Sequence, residues 1–204
     1  MNRPIFIALE GIDGSGKSTQ ARLLAEWLAG QGRRVHLTEE PTRHPIGALL
    51  RQVLRHEMEA DHRTIAGLFV ADRLDHLLNT TDGMLKRLHE GFDVITDRYY
   101  FSSYAYQGAH VPMDWVIQAN AMSASLLRPD LTIFIDIPPR VAMERIRKGR
   151  KATELFETLE NLTLVRAKFL EAFERLKDEE KVCIIDGNRA PEAVAEEIRQ
   201  WILP

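Results

Sequence analysis

"FIALEGIDGSGKSTQ", residues 6–20, is an apolar run that breaks into a glycine-rich turn ending in a lysine and two hydroxyl residues. Within it, Gly11-Ile12-Asp13-Gly14-Ser15-Gly16-Lys17-Ser18 satisfies G-x-x-x-x-G-K-[ST] in full. Glycines let the backbone curl until successive N–H groups point inward at phosphate oxygens, and the helix that follows adds its positive N-terminal end. Lys17 is placed to bridge the β- and γ-phosphates of a nucleotide, and the Ser18 hydroxyl to ligate Mg²⁺. A strand before the turn and an amphipathic helix after it supply the context such a loop requires. The stretch therefore predicts strand, phosphate loop and helix, the nucleus of an α/β nucleotide-binding fold of the P-loop NTPase type.

Outward from this nucleus, short β-branched runs recur at 5–9, 34–38, 93–97, 131–137 and 182–186, separated by segments with helical spacing. The helix after the loop carries Leu23, Leu24, Trp27 and Leu28 on one face and stops at "GQG". Residues 60–91 predict one long helix, or two with a break near Asp82-Gly83. The last helix starts with Pro191 in its first turn and has Val194, Ile198 and Ile202 as its inner stripe. Continuous apolar strands joined by helices imply right-handed parallel crossovers, with the strands buried on both faces. The expectation is a three-layer sandwich around a five-stranded parallel sheet. The whole chain, 1–204, reads as one domain, and the charged segment 145–154 reads as a lid.

Composition narrows the partners. The chain has 204 residues and a formal net charge of -3, which argues against a nucleic-acid binder, because neutralising a phosphate backbone needs a marked excess of Lys and Arg. No apolar stretch reaches membrane-spanning length, and no cleavable leader is expected at the N-terminus. The lone cysteine, Cys183, lies in an apolar run and reads as a buried structural thiol. His36, His44, His56 and His62 lack zinc-ligand context and are assigned no metal role. A cytosolic enzyme is the expectation.

Two strands end in aspartate, Asp97 and Asp136. A carboxylate at the carboxyl end of a strand beside the loop can hold the metal. Asp97 is preferred, because Arg98 follows it and can offset charge on a transferring group; Asp136 reads as a cap for the helix that follows. A guanine-reading N-K-x-D segment and a D-x-x-G switch are missing from suitable places, which argues against a signalling GTPase. Transfer to a second small molecule needs cations, an acceptor pocket and a lid that excludes water. Arg43 lies just past the second strand, Phe69 and Arg73 are one helical turn apart, and "DRYYFSSYAYQG" supplies Ser102, Tyr106 and Gln107. An aromatic plane with an arginine and an amide suits a stacked, hydrogen-bonded base.

With those residues in hand, the chain resembles the thymidylate kinase family. "FIALEGIDGSGKSTQ", "EEPTR", "LFVADR", "DRYYFSSYAYQGA", "RPDLTIFIDIPP" and "IIDGNRAPEAV" occur in that family's order and spacing. The resemblance implies transfer of the γ-phosphate of ATP to dTMP, giving dTDP, with Mg²⁺ and as a homodimer. It implies that Lys17, Ser18 and Thr19 serve ATP and its metal, and that Asp13 sits near the acceptor phosphate and sugar. Glu40 and Pro41 fit the family pattern on the acceptor side, and Arg43 and Arg98 would hold the acceptor phosphate. Phe69 would stack on thymine, Arg73 would bond its O4, and Ser102 with Gln107 would read its N3 edge. Tyr106 would crowd the sugar's 2′ position. Arg145 and the loop 186–189, with Asn188 and Arg189, would flank adenine.

The chain departs from the pattern twice. Some members carry an arginine inside the phosphate loop where this chain has Gly14, so the transferring phosphate would be met by basic lid residues. Of Arg147, Lys148, Arg150 and Lys151, the arginines Arg147 and Arg150 are preferred, because a guanidinium grips phosphate bidentately. The second departure is Glu39, which stands where many bacterial members have arginine. Another acceptor (a different monophosphate or a deoxynucleoside) and a non-catalytic nucleotide-binding regulator are the alternatives.

Overall fold

The five β-branched runs become five strands, all parallel, in a computed structural model that describes residues 3–149 and 154–202. They are β1 (Phe6–Glu10), β2 (Val35–Glu39), β3 (Asp93–Asp97), β4 (Leu131–Asp136) and β5 (Val182–Asp186), in the spatial order β2-β3-β1-β4-β5. β1 lies between β3 and β4, so the chain departs to either side of it. The carboxyl end of such a central strand opens onto the crevice where α/β proteins place ligands, and the phosphate loop leaves β1 there.

Alternation along β1 explains the layers. Phe6 and Ala8 point to one face, where they join Phe134 and the aromatic faces of α5 (Tyr100–Tyr106) and α9 (Leu159–Arg175), including Phe101, Phe169 and Phe173. Ile7 and Leu9 point to the other, against Leu24 and Leu28 of α1 (Lys17–Gly30) and Val194 and Ile198 of α10 (Pro191–Ile202). Burying one such side chain contributes about 1.5–3 kcal/mol, against about 0–1 kcal/mol for an exposed ion pair, so these two layers hold the sheet. Burial on both faces holds for β1, β3 and β4 but not for β2 and β5, which are edge strands and leave Leu37 and Ile184 exposed.

Two helices flank the β2 side: α2 (Pro45–Leu54) and α3 (His62–Leu78), packed through Leu50, Val53 and Ile65. The expected break separates α3 from α4 (Met84–His89), with Asp82 and Gly83 in the connection. Beyond α5 come α6 (Met113–Ala119) and α7 (Ala121–Leu126). After β4, α8 (Pro139–Gly149) continues through Arg145 and Arg147, so the front of the expected lid is helix. Cys183 is buried in β5, and burial pushes its thiol up to about 12. Among the described residues, no helix is long and apolar enough to cross a membrane.

Candidate active site

The phosphate loop follows from its glycines. Gly14 and Gly16 have φ of 77° and 97°, in the left-handed region that other residues avoid. At Gly14 a Cβ would also lie 2.6 Å from the Ala142 carbonyl oxygen of α8, so this position tolerates no side chain. The first turn of α1 contains no acid, leaving its positive end undiluted for an anion. The Lys17 ammonium folds back to the Ile12 carbonyl at 3.2 Å. Burial and nearby Arg98 hold its pKa below the ordinary lysine value, while Asp97, Asp13 and Glu10 pull the other way.

The two expected metal ligands meet. The Ser18 hydroxyl donates to Asp97 Oδ2, because parallel pairing sets Asp97 beside Leu9 at the carboxyl end of the sheet. Asp97 Oδ1 is buried with no hydrogen-bond partner among the described residues. A buried carboxylate oxygen left unpaired calls for a cation or a water. One carboxylate and one hydroxyl, with substrate phosphates to complete the shell, suit Mg²⁺, which keeps several waters and rarely takes an all-protein cage.

Two cavities flank the loop. On one side, about 740 Å³ is lined by Gly14, Ser15, Gly16, Thr19, Arg145 and Arg189. Arg145 is fixed there by Nη1 to the Ser15 carbonyl at 3.4 Å and Nη2 to the Gly187 carbonyl at 3.1 Å. On the other side, about 500 Å³ is lined by Asp13, Pro41, Phe69, Arg98, Ser102, Tyr106 and Gln107, together with Leu54, Glu154 and Phe156. Asp13 lines one cavity and Gly14 the other, so the two are lined by adjacent residues of the loop.

The second cavity has a charged wall and an aromatic one. Arg98 Nη2 donates to Asp13 Oδ1 at 2.5 Å, Arg98 Nη1 donates to Ser102 Oγ at 2.9 Å, and the Tyr106 hydroxyl donates to Asp13 Oδ2 at 2.9 Å. Burial opposes the charge on Arg98, but Tyr106, Asp13, Asp97 and Glu10 outweigh it and raise its pKa. Burial likewise opposes ionisation of Asp13, and Arg98 and Lys17 overcome it. Arg98 is a fixed cation, and its φ of 76° is a conformation that persists only where the surroundings over-determine it. Half-buried Phe69 lines the same cavity, and the Gln107 amide nitrogen is buried without a partner among the described residues.

A family model described as thymidylate kinase matches residues 9–198. The chain belongs to the thymidylate kinase family. It is 42% identical over 178 residues to a probable thymidylate kinase of Pyrococcus horikoshii, covering 84% of each chain. It is 38% identical over 202 residues to one of Pyrococcus abyssi (96% of this chain, 94% of the other), and 39% identical over 198 residues to one of Pyrobaculum aerophilum (97% and 95%).

Against the thymidylate kinase pattern, the structure brings Asp13, Pro41, Phe69, Arg98, Ser102, Tyr106 and Gln107 to one cavity, and Thr19, Arg145 and Arg189 to the other. Two readings, those of Arg73 and Asp136, need correction. Arg73 does not reach the cavity. It is 1% exposed, and its five N–H groups are all taken: two by Glu40, one each by Ser103, Asn120 and the Tyr99 carbonyl. Arg43 lines a third cavity with Ser18 and Asp97, and the Glu39 carboxylate accepts its Nε at 3.0 Å. Asn188 is exposed and lines neither flanking cavity. Asp136 is no helix cap: both its oxygens accept from Arg166 of α9, at 2.6 and 2.7 Å.

Arg147 and Lys148 are exposed in the last turn of α8, and Arg147 lines neither flanking cavity; Arg150 and Lys151 fall outside the described residues. Sequence reasoning missed Glu10, His76 and Asn120. Glu10 ends a strand whose other residues are all apolar and buried, and a carboxylate in such a run was the available signal. His76 bonds Glu40 at 3.0 Å and Thr38 at 2.7 Å, partners more than thirty residues away, which no local pattern marks.

Proposed function

We propose that the protein transfers the γ-phosphoryl group of ATP to the 5′-phosphate of dTMP, giving dTDP and ADP. The observation that carries this reading is the pair of cavities on either side of the Asp13–Gly14 peptide. ATP lies with its phosphates on the loop amides and Lys17, and its adenine toward Arg145 and Arg189. dTMP lies with its base on Phe69 and its phosphate toward Arg98. The two phosphates then meet end to end over the loop, and in-line positioning with charge neutralisation supplies most of the catalysis.

Gln107 becomes the base reader, since its free amide can bond the O4 or O2 edge of thymine that Arg73 has no donor left to reach. Ser102 spends its hydrogen on Glu10 and so faces the cavity as an acceptor, suited to the thymine N3–H. Ser18 and Asp97 would hold Mg²⁺, which when bound offsets the charge that develops between the β- and γ-phosphates. Arg43, freed from Glu39, and the lid arginines Arg147 and Arg150 belong to the same reading as further phosphate contacts. So do a homodimer, a cytosolic setting and a single domain, the last supported by one sheet that draws strands from both ends of the chain.

A coupled assay of ADP release tests the reading across dTMP, dUMP, UMP, dCMP, AMP and thymidine. dTMP is expected to give the highest kcat/KM. Equal ADP release with and without acceptor would overturn phosphoryl transfer, and preference for a ribonucleotide would overturn the thymidylate assignment.

A further inference from the structure

Glu10 is fully buried at the end of β1, directly before the phosphate loop, yet it touches neither cavity. Its Oε1 accepts the backbone N–H groups of Tyr99 at 2.9 Å and Ser102 at 3.1 Å, and its Oε2 accepts the Ser102 hydroxyl at 2.6 Å. A length of 2.6 Å is at the short end for a hydroxyl donating to a carboxyl oxygen. Three donors converge on one side chain, which fixes the start of α5 against the strand that feeds the loop. The consequence passes on through Ser102. With its hydrogen committed to Glu10, the Ser102 oxygen presents a lone pair to Arg98 Nη1, and Arg98 Nη2 is left for Asp13. Arg98 is anchored to the same strand by its own N–H on the Leu9 carbonyl at 2.9 Å.

We propose that Glu10 is a positioning residue for phosphoryl transfer: through Ser102 it sets the Arg98 guanidinium where acceptor and donor phosphates meet. This rests on the kinase reading above. Glu10 thereby joins the two halves of the site, since one carboxylate orders the acceptor-side helix and abuts the donor loop. Three cations surround it: Arg98 from the turn after β3, Lys17 from α1 and Arg73 from α3, each of which it stabilises. A glutamine of the same shape keeps the oxygen for the two backbone N–H groups. It then points an N–H at Ser102, whose hydrogen must turn elsewhere, and Arg98 loses its fixed acceptor.

The test is a double-mutant cycle on kcat, with Glu10→Gln, Ser102→Ala and both together, beside melting curves and the dissociation constant of ATP measured without dTMP. Each single change is expected to lower kcat roughly tenfold or more, the rate equivalent of one charge-assisted hydrogen bond. Affinity for ATP should stay within about twofold, because the loop's amides and Lys17 are untouched. The double variant should be no slower than the worse single one, as expected of residues acting in series. If the wild type leaves dTMP unphosphorylated, the kinase reading itself fails and this inference with it. Given wild-type turnover, an unchanged kcat in Glu10→Gln overturns the inference alone, as does a double loss equal to the product of the single losses. Should Glu10→Gln not fold, Ser102→Ala decides: a wild-type kcat, or a loss that appears in KM for dTMP, overturns the inference, and a lowered kcat at unchanged ATP affinity, unchanged KM for dTMP and unchanged melting temperature supports it.

Discussion

Replacing Arg73 by methionine distinguishes a buried strut from a base reader. The guanidinium holds Glu40 Oε2 at 2.6 and 2.9 Å, Ser103 at 3.0 Å and the Tyr99 carbonyl at 3.1 Å, with Asn120 as its fifth acceptor. Methionine fills much of the space but leaves Glu40, 4% exposed, with His76 as its remaining partner. Breaking one side of a buried ion pair costs about 3–5 kcal/mol, because the other charge stays behind uncompensated. In a protein of this size each kcal/mol is worth about 2–4 °C, so Arg73→Met should melt roughly 6–20 °C below the wild type.

Changing Glu40 to Gln in the same chain removes the stranded charge and should recover part of the loss. pH supplies a second check. Burial opposes ionisation of Glu40, and Arg73 with His76 outweighs it, holding the carboxyl below its ordinary value. That contribution is present above the ordinary carboxylate range and fades as pH falls through the lowered value. The gap between wild type and Arg73→Met should therefore narrow on acidification. Calorimetric melts at several pH values measure all of this. A melting temperature within about 2 °C of wild type, joined to a large rise in KM for dTMP, would refute the strut and restore Arg73 as a base contact.

Phe69→Ala should do the opposite, raising KM for dTMP roughly tenfold, as loss of one base-stacking plane does, with little change in melting temperature. Gly14→Ala combines an unfavourable φ with a collision against the Ala142 carbonyl, and it should lower both stability and ATP affinity, read by melting and by nucleotide titration. For Glu10, burial pushes the carboxyl up to about 7 against its hydrogen bonds from Ser102 and Tyr99 and the pull of Arg98. The folded state then holds that proton more tightly than the unfolded one, so this stability is full below the ordinary carboxylate value and is lost as pH rises toward 7. Denaturant titrations over that window should show the balance moving in favour of Glu10→Gln as pH increases.

The parts of the molecule that could be read from sequence are those in which cause and effect lie close along the chain. The phosphate loop declares itself within eight residues, and buried strands announce themselves as apolar runs; β1, β3 and β4 match because both their faces are covered. The edge strands were over-read, since an apolar run does not say whether a helix covers it. Phe69 and Gln107 were legible as an aromatic and an amide near a nucleotide loop. Arg73 was misread because a cation's partners decide whether it is free, and Glu40, Ser103 and Asn120 lie 33, 30 and 47 residues away. Asp136 failed for the same reason: capping is a local inference, and Arg166 is 30 residues distant.

Because α8 rests its Ala142 carbonyl where a side chain at Gly14 would stand, the turn and the helix are geared together. The same helix, three and five residues further on, carries Arg145 and Arg147. A designer who wished to graft a cation into the turn itself would first have to cut this gear by backing the helix off.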